Sequence, residues 1–492
     1  MHRPIASKMK FFIIFGILIA IGKAGSQFEE YYNDYTTQRH FYVWHTPTSN
    51  YHEKTTENSD VETTTPYNEE SEDNIEVLPL PFGDCDETKN LISLNLSYTG
   101  MTKINSEFIK NTQVNCLNFS KNNINFIAET FLENLPNLTV LNLGHNKINL
   151  ENLNLNSNSK NLQLKTLILD NNPINIIKEL IFNGCFNNLE ILSIRQTLLN
   201  GLSSTCDLKN LKYLYLTDNY IYNEEDIFHG ENYFKLSHLY VDNNIISTFN
   251  GTQFSNLELL QLDNNNIRIL CNSHCNDVGG GLYLGKMTNL KHLFLAGDNI
   301  KIVLSDAFFD TIHLETLDLS RNYISKIAND TFKRLKFLKV LMLNSNRLTI
   351  LPNFYECSKI EILNFNTNWL KNITSKQFFN LRSLKSLSLN NNKIKNIEKF
   401  AFTNLTSLNE LDLSNNTLES LPENWIAPQN VLKILNVNGN YFTNFSQLNL
   451  HNAPNLEKIF LHDNPIENLN IMSFLHIENQ SKSRLEEKKL EN

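Results

Sequence analysis

The sequence predicts an α/β solenoid, in which short coils stack and share one parallel sheet. Three observations lead there. An apolar pattern, L-x-x-L-x-L-x-x-N-x-[IL], recurs through most of the chain, and ten of the fifteen intervals between its copies are 23 to 25 residues. A length of 492 residues exceeds an ordinary single domain. A 41% hydrophobic content with only 16 Gly and 12 Pro argues against a wholly disordered or collagen-like chain.

The first residues read as a secretory leader, residues 1–24. Arg3, Lys8 and Lys10 precede the apolar run Phe11 to Ile21, and Gly22 and Ala24 are small residues suited to cleavage. The run is too short to span a bilayer, which takes about 20 residues. Residues 25–84 are rich in Thr, Tyr and Glu and poor in aliphatic side chains, so they cannot bury a core and are expected to form a disordered arm.

The periodic part occupies residues 85–470. Sixteen units, numbered here as coils, start at Leu91, Val114, Leu138, Leu164, Leu189, Leu211, Leu236, Leu257, Leu290, Leu314, Leu338, Ile360, Leu384, Leu408, Leu432 and Leu456. Positions 1, 4, 6 and 11 are apolar and are expected to point into a shared core. Positions 3 to 5 are expected to form a strand with positions 3 and 5 facing outward. Position 9 is Asn in most coils, including Asn146, Asn322, Asn346, Asn392 and Asn464. An amide there can satisfy backbone groups at the turn after the strand, and repetition predicts a ladder of amides. Apolar pairs such as Phe131/Leu135, Phe332/Leu335, Phe378/Leu381 and Phe402/Leu405 are expected to close the far side. A coil alone would expose its apolar face, so stability must come from stacking. Residues 471–492 are expected to form a short charged tail or capping helix.

In its repeat, exemplified by LETLDLSRNYI from Leu314, the chain resembles the typical extracellular subclass of leucine-rich-repeat proteins. It is similar to Toll-receptor ectodomains and to secreted arthropod leucine-rich immune proteins. The resemblance implies a horseshoe whose parallel sheet lines the concave face and whose convex side is irregular, 3-10 or short helical.

The departures from relatives lie mainly at cysteines. Cys85 and Cys116 are candidates for an N-terminal cap disulfide, Cys185 and Cys206 for a bridge between neighbouring coils, and Cys271 and Cys275 for a local disulfide in the 33-residue coil 8. A metal site on Cys271, His274 and Cys275 lacks a recognisable fourth ligand. Cys357 stands where other coils carry a buried Leu and reads as a buried free thiol. After His462-Asp463-Asn464-Pro465 no cysteines of the usual cap are read, and neither a pairing coiled coil nor an intracellular signalling domain is expected from these residues.

Ten N-x-[ST] sequons make glycosylation candidates of Asn95, Asn118, Asn137, Asn250, Asn329, Asn372, Asn404, Asn415, Asn444 and Asn479. No hydrolase, metalloprotease, phosphate-loop or dinucleotide signature appears, so no enzyme activity and no cofactor or metal is expected. The Gly279–Gly281 run is explained by flexibility. The net charge of −9 gives no reason to expect nucleic acid as a partner, and no later apolar segment reads as a membrane anchor.

Large rings cluster at the outward positions of the middle coils: Tyr213 and Tyr215, His238 and Tyr240, His292 and Phe294, with Asp242 and Asp263 beside them. These eight residues are the candidate ligand-binding patch, with rings expected to stand in a row facing solvent and the carboxylates at the rim. The resemblance implies a secreted binding protein for an extracellular protein or glycoconjugate, with innate immunity as one setting. Adhesion or matrix organisation, or modulation of a secreted enzyme or growth factor, are the alternatives, and homo- or hetero-oligomerisation is left open.

Overall fold

The computed structural model describes residues 92–111, 113–128, 130–149, 163–174, 188–201, 208–223, 225, 235–272 and 281–467. The expected leader, arm and tail (residues 1–24, 25–84 and 471–492) lie outside them, as do Cys85, Cys185, Cys206, His274, Cys275 and Asn479.

Each coil contributes one strand to a 16-stranded parallel sheet, from Ile92–Asn95 to Lys458–Phe460, and the spatial order of the strands is their order in the chain. The register aligns equivalent positions: Leu317 pairs with Leu341, Leu341 with Leu363, and Leu363 with Leu387. A side chain therefore has its counterpart on the next coil about 4.8 Å away. This is the predicted solenoid. Leu314, Leu317, Leu319 and Ile324, at positions 1, 4, 6 and 11 of coil 10, are all fully buried in one continuous core. Each such side chain contributes up to about 1.5–3 kcal/mol.

The asparagine ladder is present and has a repeating geometry. Asn322 Nδ2 donates to the Leu319 carbonyl of its own coil at 3.1 Å and to Leu295 of the preceding coil at 2.8 Å. Its Oδ1 accepts the Ile300 N–H at 2.8 Å. Asn346, Asn368, Asn392, Asn416 and Asn440 repeat the three roles. Three positions depart: Thr99 in coil 1, which is exposed, and Thr197 in coil 5 and Asp298 in coil 9, both fully buried. The residue before each ladder position, position 8, takes a left-handed conformation in all sixteen coils, for example φ 55° at Arg321 and 57° at Ser345. Sequence pattern alone does not reveal this, because only Gly297 and Gly439 are glycines there.

The return segments hold turns, short 3-10 helices such as Phe131–Asn134 and Phe445–Leu448, and small parallel sheets; no α-helix occurs among the described residues. A stack of phenylalanines closes this side, Phe308 to Phe332 at 5.9 Å and Phe332 to Phe354 at 6.2 Å between ring centroids. Trp425 extends the role, buried edge-on against Phe402 with its indole N–H donating to the Leu448 carbonyl at 3.2 Å. Cys357 is a free, fully buried thiol whose Sγ lies 3.3 Å from the Phe332 carbonyl, which it reaches as a weak donor.

The 33-residue coil contains more than a protruding loop. Its Leu282–Tyr283 segment returns as an extra strand between Phe249–Asn250 of coil 7 and Ile269–Cys271 of coil 8, with Ile302–Val303 of coil 9 beyond. Gly281 makes this possible at φ 152°, since a Cβ there would collide with the Ile269 carbonyl. Flexibility is thus not the sufficient explanation for this glycine; close backbone approach is. Cys116 and Cys271 each form a disulfide with a partner outside the described residues.

Candidate functional site

The strands Tyr213–Tyr215, His238–Tyr240, Leu259–Gln261 and His292–Phe294 are consecutive in the main sheet, so the aromatic residues of coils 6 to 9 share one face. The pairing sets Tyr213 beside His238 and Tyr215 beside Tyr240. On a parallel sheet the strand spacing is close to a ring-stacking distance, and the rings use it. Tyr213 and His238 stack with centroids 4.6 Å apart, and Tyr215 and Tyr240 stack at 4.5 Å with planes within 8°.

This packing corrects the expected row of solvent-facing rings. Tyr215 is only 6% exposed, because Tyr240 covers one side and the Arg195 guanidinium lies 5.9 Å from its centroid. Tyr213, His238, Tyr240, His292 and Phe294 are half-buried. The row is also interrupted, since Gln261 stands between Tyr240 and Phe294. The arrangement is two stacked pairs followed by a separate His292 and Phe294, with His292 Nδ1 3.2 Å from Thr316 Oγ1.

The placement of Asp242 and Asp263 at a solvent rim is likewise corrected. They are 4% and 5% exposed. Asp263 Oδ1 accepts the Ala296 N–H at 2.7 Å, and Asp242 Oδ1 accepts the Thr217 hydroxyl at 2.8 Å. Position 7 follows the strand, where the next or preceding coil offers a donor, and a carboxylate satisfies it. Asp170 does the same in coil 4: it takes the Arg195 N–H at 2.8 Å and the guanidinium at 2.6 Å, which sets Arg195 against Tyr215. Asp170 and Arg195 were not singled out in the sequence, although the shared position 7 was a usable signal.

Burial sets the electrostatics of the patch. It raises the Tyr215 hydroxyl above its ordinary range and pushes Tyr240 up to about 12. It lowers the imidazoles of His238 and His292, with a further lowering from Lys291. Both histidines are therefore neutral at physiological pH and the patch presents stacked, uncharged rings.

Among the sequons, Asn95, Asn137, Asn250, Asn329, Asn372, Asn415 and Asn444 are exposed, whereas Asn118 and Asn404 are half-buried. Among the described residues, no cluster of three or more His, Cys, Asp or Glu is disposed to hold a metal, and no helix is long and apolar enough to cross a membrane.

Comparison with known proteins agrees with the solenoid fold. The family profile described as "Leucine rich repeat" matches residues 312–370 and 382–442. Toll-like receptor 5 of Homo sapiens is 30% identical over 117 residues, 23% of this chain and 14% of that protein. Leucine-rich repeats and immunoglobulin-like domains protein 3 of Homo sapiens is 31% identical over 150 residues, 29% of this chain and 12% of that protein. The matched segments thus span a small part of these relatives. Among solved structures, a leucine-rich-repeat protein of Leptospira interrogans superposes with TM-score 0.55 at 21% identity, covering 80% of this chain and 94% of that one. Toll in the Drosophila Toll–Spatzle complex gives TM-score 0.61 at 19% identity, covering 74% and 49%. The chain therefore has a leucine-rich-repeat solenoid fold, with residues 312–370 and 382–442 matching the repeat profile and local similarity to a Toll-like receptor.

Proposed function

We propose that the protein is secreted and recognises an extracellular protein or glycoconjugate through the sheet face of coils 6 to 9, with innate immunity as the setting. The observation that carries the reading is the pair of stacks Tyr213/His238 and Tyr215/Tyr240 on one face of a rigid sheet. Stacked rings held by their neighbours lose little freedom on binding, which suits them as anchors in an interface. The leader at residues 1–24 and glycans on exposed sequons belong to the same reading. The similarity to Toll, solved in a complex described as a hub of development and innate immunity, supports the immune setting over adhesion or enzyme modulation.

The test is affinity capture from the body fluid that contains the protein, using wild type, Tyr213→Ala with His238→Ala, and Phe379→Ala, an exposed residue of a return segment. Loss of the captured species only with the first variant supports the assignment. Equal retention by all three counts against it.

A further inference from the structure

A second surface lies off the sheet face, between the rows formed by positions 8 and 10 of coils 10 to 13. It is a shallow cleft of about 450 Å³. One wall alternates rings and cations: Tyr323, Arg347, Trp369 and Lys393. The Arg347 guanidinium lies 4.5 Å from the Tyr323 centroid, and the Lys393 ammonium 5.4 Å from Trp369. Tyr323 and Trp369 remain 40% and 45% exposed. The other wall carries the hydroxyl and amide groups of Ser345, Thr367 and Asn391. No carboxylate lines the cleft.

The opposite edge of the sheet shows how unusual that is. At position 2 each cation is answered by a carboxylate one coil away: Lys291 by Glu258, Lys339 by Glu315 and Lys385 by Glu361, at 2.7 to 2.9 Å. Arg347 and Lys393 have no ion pair among the described residues; rings hold them instead. A cation held over a ring is positioned without being neutralised, so its charge stays available to a ligand.

We propose that this cleft binds a linear acidic polysaccharide, one with carboxylate or sulfate groups along a pyranose chain. The two cations recur on every second coil, about 10 Å apart at about 4.8 Å per coil. That repeat matches acidic groups on alternate sugars, each sugar advancing by about one coil. The intervening rings offer apolar surface to sugar C–H faces, and Ser345, Thr367 and Asn391 offer partners to hydroxyls. An extended acidic peptide fits less well. Strand addition needs free backbone donors and acceptors, and the floor has spent its own on the asparagine ladder: Asn346 and Asn368 take the Ile324 and Leu348 N–H groups and donate to the Leu319 and Leu343 carbonyls.

The full glycosylated chain, carrying Asn415→Gln so that no glycan on that sequon, one coil beyond Asn391 in the same row, fills the cleft, is titrated by calorimetry with a short heparin oligosaccharide and, separately, with polyglutamate. Heparin binding is expected to fall about tenfold or more in Arg347→Gln with Lys393→Gln, the loss of charge-assisted contacts. It should fall in Trp369→Ala as well, and be unchanged in Lys339→Gln with Lys385→Gln. Arg347→Lys with Lys393→Arg, which keeps the charge, should retain measurable binding even if the neutral pair folds poorly. No heparin binding by the folded wild type overturns the proposal. So does binding indifferent to the cleft substitutions, or polyglutamate binding as tight as heparin and insensitive to Trp369→Ala, which would mark a generic cationic surface.

Discussion

Asp298 Oδ1 accepts the backbone N–H of Asn265 at 3.0 Å across the boundary between coils 8 and 9, while its Oδ2, equally buried, has no hydrogen-bond partner. The position belongs to the asparagine ladder, where the second side-chain atom is an amide nitrogen that donates to backbone carbonyls of its own and the preceding coil. A carboxylate cannot donate; a carboxylic acid can. Burial, and then the neighbouring Asp263, raise the Asp298 carboxyl well above its ordinary value. A neutral acid there has a donor to offer, as the ladder's amides do, and the ionised form has none.

Asp298→Asn is accordingly expected to stabilise the solenoid near neutral pH by about 1–3 kcal/mol, the cost of an unsatisfied buried group. Because the folded pKa is raised, the native state binds the extra proton between the unfolded value near 3.8 and the folded one. The wild-type contribution is thus full below 3.8 and is lost as pH rises through the folded pKa. Melting curves of wild type and variant should converge in acid and separate toward neutrality. A gap independent of pH would show that Asp298 does not titrate.

The intact rungs make the complementary prediction. Asn322→Ala and Asn392→Ala each orphan buried backbone groups on two coils and should each cost about 1–3 kcal/mol, lowering the melting temperature and secretion. Lys385→Gln, which breaks the exposed pair with Glu361, should cost about 1 kcal/mol or less. Equal losses from the two kinds of substitution would refute the ladder as a source of stability.

Legibility in the sequence divides along physical lines. The strands, the core positions and the ladder were readable because each follows from one residue type recurring at one position, as Leu317 and Asn322 do. The covering of Tyr215 was not, because it depends on Arg195 and Tyr240 in adjacent coils and on a ring-to-ring spacing set by the sheet. Asp263 at position 7 read as a surface charge, since nothing local announces that it caps the Ala296 N–H of the next coil. The extra strand at Leu282 was invisible for a similar reason: two residues are too short a pattern, and only Gly281 marked the close approach.

Cys357 should be inert in the folded protein. Burial pushes its thiol up to about 12, so almost no thiolate exists at neutral pH and no reagent reaches it. Maleimide labelling of that residue should require denaturant, with an onset that follows global unfolding. Rapid labelling under native conditions would mean that the return segment around Phe354 opens independently.

The lowered imidazoles predict an acid response of the sheet face. His238 and His292 lie below 6.5 in the folded state, so the unfolded chain takes up protons first as pH falls. Stability supplied by the neutral rings is present above 6.5 and is lost as pH falls through the lowered folded values. The measurement is the melting temperature from pH 7.5 down to 5, compared with His238→Gln with His292→Gln; a smaller decline is expected for the variant. Parallel curves would place the acid-sensitive groups elsewhere.

The stacked tyrosines separate packing from recognition. Tyr215 is nearly covered, so Tyr215→Ala removes buried ring surface and its stack with Tyr240, and should destabilise the fold by about 3 kcal/mol. Tyr213 is half-buried and loses only one stacking face to His238. Tyr213→Ala should therefore cost about 1 kcal/mol in stability, near the value of an aromatic pair. Any loss of partner binding in Tyr213→Ala then reports the surface itself, and about 2 kcal/mol is the scale expected of an anchor. Tyr215→Phe provides the control, since it keeps the stack and removes only the hydroxyl with its hydrogen bond to Tyr240. Denaturant unfolding and partner titration on the three variants decide the matter. If Tyr213→Ala folds and binds as wild type, the sheet face of coils 6 and 7 is structural and the partner sits elsewhere. If Tyr215→Ala leaves stability untouched, the stack contributes nothing to the fold and its rings are held for binding alone.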